Sequence, residues 1–164
     1  MKKVETIENQ DKPNNEHQFI RMFNSVTQRT DIKLLDKFII CYIISYQLEG
    51  KNFFMSNKQI AYLTGVSEST VNRRIQFLKQ FFNVKHQSSG GKTNNRRFLS
   101  MKSLQDWLPL NVRLETRVDI YQFKSVRDFH NWWPSVFKDT EEVGKYLERN
   151  QVLGNYLSKI SEAA

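Results

Sequence analysis

Apolar residues recur at helical spacing through the middle of the chain: Leu34, Leu35, Phe38, Ile39, Cys41, Tyr42, Ile44 and Tyr46. A strand could also hold Ile39, Ile40, Ile43 and Ile44, but the run from Asp31 to Glu49 is too long for one. The spacing predicts a helix with Asp31 as its N-cap and Gly50 as its stop. Apolar residues cover much of its circumference, as a central core helix requires. Ser56-Asn57-Lys58-Gln59 has capping-box spacing, with Phe54 placed to staple onto the helix it opens. Ile60, Ala61 and Leu63 follow, and Thr64-Gly65 ends that helix, because glycine takes the left-handed conformation at low cost. Ser67 caps a second helix, 67–80. Its Val71, Ile75 and Leu78 form an inward stripe at i, i+4, i+7, while Ser69, Asn72, Arg73, Gln76 and Lys79 share the opposite face.

Residues 81–87 and 96–101 read as the strands of a hairpin, with the turn at Ser88 to Asn95. Further on, Val112, Leu114, Thr116, Val118 and Ile120 alternate with polar residues, which predicts a strand from Asn111 to Tyr121. Ser125 is expected to cap a helix that stops before Pro134. Asp139-Thr140-Glu141-Glu142 opens a last helix, with a break expected near Gly154. Trp132, Trp133 and Phe137 read either as core packing or as an exposed partner surface. At the other end, residues 1–16 are polar and aperiodic and are expected to form a mobile arm. Gln18 to Thr27 forms a short helix or an extended lead-in.

Composition adds one fact that pattern does not. The 164 residues carry a net charge of +8. Residues 31–104 hold twelve basic side chains against four acidic ones, whereas residues 105–164 hold eight against nine. The excess positive charge therefore sits on the middle segment, the electrostatic footprint of a polyanion partner. A solvated basic surface is the plainer alternative. The one cysteine, Cys41, excludes an internal disulfide and a multi-cysteine zinc site. His17, His86 and His130 lack metal-ligand spacing. No apolar run is long enough to span a bilayer. The first residues have no apolar stretch behind Lys2 and Lys3, so a secretory signal is not expected and a cytoplasmic location is.

The segment Ala61-x-x-x-Gly65-Val66-Ser67-x-x-Thr70-Val71-x-Arg73-x-Ile75 resembles the helix-turn-helix signature. Ala61 is small where the second helix crosses, Gly65 supplies the turn, and Val66 plugs the angle. Ser67 leaves the second helix's N-terminus free to face a phosphate or a base edge. With the basic hairpin after it, the stretch from about Ile32 to Lys102 resembles a winged helix. More narrowly, it is similar to the winged-helix domains at the front of phage and plasmid replication initiators. The fold class expected is mainly α with a small β-hairpin wing (α+β). The expected organisation is an arm (1–16), a winged helix-turn-helix domain (17–104) and a C-terminal extension (105–164) for oligomerisation or partner binding.

The resemblance implies a sequence-specific protein of double-stranded DNA, a regulator or replication-initiation accessory of a mobile element. Helix 67–80 would read the major groove, with Ser67, Glu68, Ser69, Thr70, Asn72 and Arg73 near bases or adjacent phosphates. Arg73 suits guanine and Asn72 adenine. Arg74, Gln76 and Lys79 would meet phosphates, as would Ser56 and Lys58. In wing 84–101, Lys92, Arg96 and Arg97 would grip the backbone or enter the minor groove. Arg74 departs from the pattern, since some helix-turn-helix proteins are apolar there. The partners implied are DNA, a second copy on paired half-sites, and a replication or transcription protein at the C-terminal extension.

No catalytic constellation accompanies these residues, and no cofactor is expected. Gly91-Lys92-Thr93 resembles the tail of a phosphate-binding loop, but His86 stands where the motif needs its first glycine. No nucleophile elbow is present, and Cys41 lies in an apolar helix, a poor setting for a thiolate. The rival reading is a protein–protein adaptor on a winged-helix scaffold, with only nonspecific DNA affinity.

Overall fold

The computed structural model describes residues 20–87 and 96–163. A short helix α1 (Asn24–Thr27) leads into α2 (Leu34–Leu48) and packs on it. Ile39, Ile40, Cys41, Ile43 and Ile44 are all fully or almost fully buried, so α2 meets neighbours on most of its sides. Truncating any one of these isoleucines to alanine should cost about 2–5 kcal/mol. The helix begins later than expected. Asp31 is not its cap; it pairs with Arg29 at 2.6 Å instead. Ile32 is buried, which anchors the chain before the helix starts. Asp36 closes the first turn by accepting the Lys33 backbone N–H at 3.1 Å.

Two further helices, α3 (Asn57–Thr64) and α4 (Glu68–Leu78), pack on each other, and α4 also packs on α2. Then come β1 (Phe82–Gln87) and β2 (Arg96–Met101), an antiparallel pair with Phe82 opposite Met101 and Gln87 opposite Arg96. The Phe53 carbonyl accepts the Leu99 N–H at 3.0 Å, so the lead into α3 runs beside β2. Strand alternation puts Leu99 and Met101 on the buried face. Among the described residues the architecture is mainly helical with one small two-stranded sheet, as the patterning predicts. The expected arm and the hairpin turn, with Lys92, lie outside the described residues.

The expected strand 111–121 does not form. Pro109 precedes a helical turn, α5 (Leu110–Arg113), and residues 120–122 make a 3-10 turn. The alternation misleads because the most buried side chain of the segment is Arg113, at a position the pattern reads as outward. The Arg113 guanidinium donates to the Leu108 and Val136 carbonyls at 3.0 and 2.8 Å. It also grips both oxygens of Glu142, at 2.6 and 3.0 Å. These bonds bend the segment around one buried cation.

Ser125 caps α6 (Val126–Trp132) with Asp128 reaching back, and Asp139 caps α7 (Thr140–Arg149). The expected break at Gly154 falls instead at Asn150, which caps α8 (Gln151–Glu162) with its own side chain. Gly154 lies inside α8. Phe137 is fully buried, and Trp132 packs against Phe123, Phe129, Phe137 and Tyr146, so both belong to the core. Trp133 is half-buried against the same core. That core is continuous from Phe23 through α2 to Leu157.

Candidate nucleic-acid interface

The site grows from two capped helices and the turn between them. Ser56 Oγ accepts the Gln59 N–H at 3.1 Å, and Gln59 Oε1 accepts the Ser56 N–H at 2.9 Å. Phe54 is not the staple expected. It is exposed and meets Phe98 of the hairpin edge-on. Met55, one residue nearer the cap, is buried together with Ile60, at the N′ and N4 positions a staple uses. At the far end of α3, Gly65 adopts φ +70°, and its N–H closes onto the Ala61 carbonyl at 2.9 Å. Ala61 is buried, and Val66 is partly buried on the core.

Ser67 Oγ accepts the Thr70 N–H at 3.3 Å and shares hydrogen bonds with the hydroxyls of Ser69 and Thr70, at 3.0 and 2.9 Å. Val71, Ile75 and Leu78 of α4 are completely buried. Glu68, Ser69, Asn72, Arg73, Gln76 and Lys79 are all exposed. The helix thus sits with one face locked in the core and a polar, net basic face open.

Arg74 departs from its expected place beside a phosphate. Its guanidinium lies over the Phe77 ring, 4.5 Å from the centroid. Nε donates to Asp36 Oδ1 at 2.7 Å, and Nη2 makes a shorter bond to Oδ2. Asp36 is wholly buried, and this hydrogen-bonded carboxylate raises the Arg74 pKa above its ordinary value. Arg74 is therefore a bolt between α4 and α2. The apolar residue that some helix-turn-helix proteins carry there is replaced by a buried ion pair.

Arg97 of the hairpin is engaged within the protein in the same way. Arg97 faces inward with Leu99 and Met101, half-buried, and its Nη2 donates to Asn57 Oδ1 at 2.8 Å. Burial pushes its pKa down. Asn57 in turn donates from Nδ2 to Asn72 Oδ1 on α4, at 3.3 Å. Asn57 is absent from the residues expected by sequence, although its place at the first position of α3, beside Ser56, was the available sign. Lys58 is exposed on the first turn of α3. The side chain of Arg96, like Lys92, is not described.

Cys41 is fully buried and its thiol is pushed up by desolvation, which makes it a packing residue. Among the described residues no group of acids, histidines and cysteine is placed to hold a metal, and no helix is long and apolar enough to cross a membrane.

Two capped helices joined by a left-handed glycine, the second offering an open polar face, make a helix-turn-helix unit. A family model described as a helix-turn-helix domain matches residues 30–81, which takes in α2, α3 and α4. That segment is a helix-turn-helix domain, and the match points to DNA as the partner. No curated protein and no solved structure matches the chain.

Proposed function

We propose that the chain is a sequence-specific double-stranded DNA-binding protein that reads the major groove with α4. One observation carries the reading: the buried stripe of α4 holds the helix against the core while Ser69, Asn72, Arg73, Gln76 and Lys79 stand exposed together. Arg73 is the base reader, since its planar fork matches O6 and N7 of guanine. Gln76 and Lys79, further along the same face, meet the backbone, and the hairpin acts as a wing whose Lys92 and Arg96 hold phosphates. The Ser67 hydroxyl is occupied as a cap, so its part is to orient the helix. A role as regulator or replication-initiation accessory of a mobile element rests on the resemblance of residues 32–102 to initiator winged helices.

Selection of bound sequences from a random duplex pool, at near-physiological salt, tests the proposal. An enriched motif is the expected result, and a two-fold repeat within it would mean that two chains bind side by side. Binding without enrichment that vanishes as salt rises would overturn the proposal in favour of a protein adaptor.

A further inference from the structure

We propose that Arg97 is a positioning residue for base reading: acting through Asn57, it fixes which end of the Asn72 amide faces the DNA. This rests on the DNA-binding reading above and gives it a chemical direction. The two ends of an asparagine amide have nearly the same shape, and only the hydrogen-bond network orders them. Here the network has a fixed origin. A guanidinium has donors and no acceptor. The Asn57 atom that meets Arg97 Nη2 at 2.8 Å is therefore Oδ1. Its Nδ2 is then the end turned toward α4, and an amide NH2 also only donates. The Asn72 atom facing it at 3.3 Å is accordingly Oδ1. That leaves Asn72 Nδ2, a donor, as the end directed away from Asn57 on the exposed face of α4.

Arg97 is placed for this task rather than for gripping a phosphate. It shares the inner face of β2 with Leu99 and Met101. Its Nε is buried without a hydrogen-bond partner, and no carboxylate lies within ion-pair distance of it among the described residues. Its contact with Asn57 thus gives a desolvated cation its polar partner.

The consequence is a base preference. An outward donor suits O6 of guanine or O4 of thymine and meets the amino groups of adenine N6 and cytosine N4 donor to donor, while N7, an acceptor on both purines, does not tell them apart. The adenine contact expected of Asn72 needs an outward acceptor as well, and that oxygen is turned inward to Asn57. At the base that Asn72 faces, the protein favours keto bases over amino bases.

The test is the random-duplex selection run on the full chain, with four variants in parallel and each variant's thermal unfolding recorded. Asn72→Ala marks the base position. Arg97→Met frees the Asn57 amide to turn, and the keto preference at that position should fall by about tenfold. Asn57→Asp is the sharper variant, because a carboxylate only accepts. It still receives Arg97 and suits the first turn of a helix, but it requires Asn72 to turn its Nδ2 inward. The preference should invert toward adenine or cytosine at the same position. Asn57→Leu should relax it as Arg97→Met does.

An unchanged profile with Asn57→Asp, or uniform weakening on every sequence with Arg97→Met, would overturn the inference while leaving the DNA-binding reading intact. An unchanged profile with Asn72→Ala would do the same. No enrichment by the unaltered protein would overturn the underlying reading, and this inference with it.

Discussion

Arg74 of α4 and Asp36 of α2 make a two-point ion pair, with Nε donating to Oδ1 at 2.7 Å and Nη2 to Oδ2. The same Asp36 oxygen Oδ2 also accepts the backbone N–H of Lys33, 3.1 Å away, and so closes the first turn of α2. One buried carboxylate therefore starts the core helix and holds the reading helix to it. Removing one member of a buried pair leaves the other uncompensated, which costs about 3–5 kcal/mol. Asp36→Ala is expected to lower stability by that amount in urea unfolding. Arg74→Met in the Asp36→Leu background should cost far less than Arg74→Met alone. A loss below about 1 kcal/mol for Asp36→Ala would show that the pair is no more than a surface contact.

Two glycines with positive φ should respond differently to alanine. At Gly65, φ is +70° and a Cβ would meet nothing within 4 Å, so the cost is backbone strain alone, about 1–2 kcal/mol. At Gly50, φ is +69° and a Cβ would fall 2.7 Å from the Arg117 carbonyl oxygen. The neighbouring Arg117 N–H donates to the Leu48 carbonyl at 2.6 Å, so the two chain segments cannot easily part. Gly50→Ala should be the more destabilising by thermal unfolding. The reverse order would contradict the close approach of residue 117 to the end of α2.

Acid should weaken the C-terminal region through Glu142. The Arg113 guanidinium bonded to it holds its carboxyl below the ordinary value of 4.5. The unfolded chain then takes up this proton at higher pH than the folded chain does. The contribution is fully present above about pH 4.5 and is lost as pH falls through the lower folded value. Glu142→Gln should be less stable than the unaltered protein at neutral pH, and the gap should narrow below pH 4.5. A gap that stays constant down to pH 3 would show that the pair does not stabilise the fold through its charge.

The helix-turn-helix was legible because each of its parts is local. Ser56 with Gln59, Gly65, and Ser67 with Thr70 act within one turn of chain, and the stripe of Val71, Ile75 and Leu78 repeats at the helical period. Where distant residues decide, the pattern misled. Asp31 looks like a cap by position, but Asp36 wins because it also meets Arg74, a residue 38 positions away. The alternation from Val112 to Ile120 looks like a strand, yet Arg113 overrides it by binding Glu142 and two carbonyls. Arg96 and Arg97 read as equal members of a basic wing. The structure puts Arg97 on the inner face with Leu99 and Met101. Asn57 was marked only by its place beside Ser56, because its interest lies in standing between Arg97 and Asn72.

The account's central claim is that α4 reads bases, and Arg73 is where it is most exposed to test. The measurement is the affinity of the unaltered protein and of Arg73→Ala for the selected site and for each of its single-base substitutions, at one salt concentration. The account predicts that Arg73→Ala loses about 1–3 kcal/mol on the selected site, and that discrimination disappears at one base position only. An equal loss on every duplex, with discrimination intact throughout, would place Arg73 on a phosphate and contradict base reading by this residue.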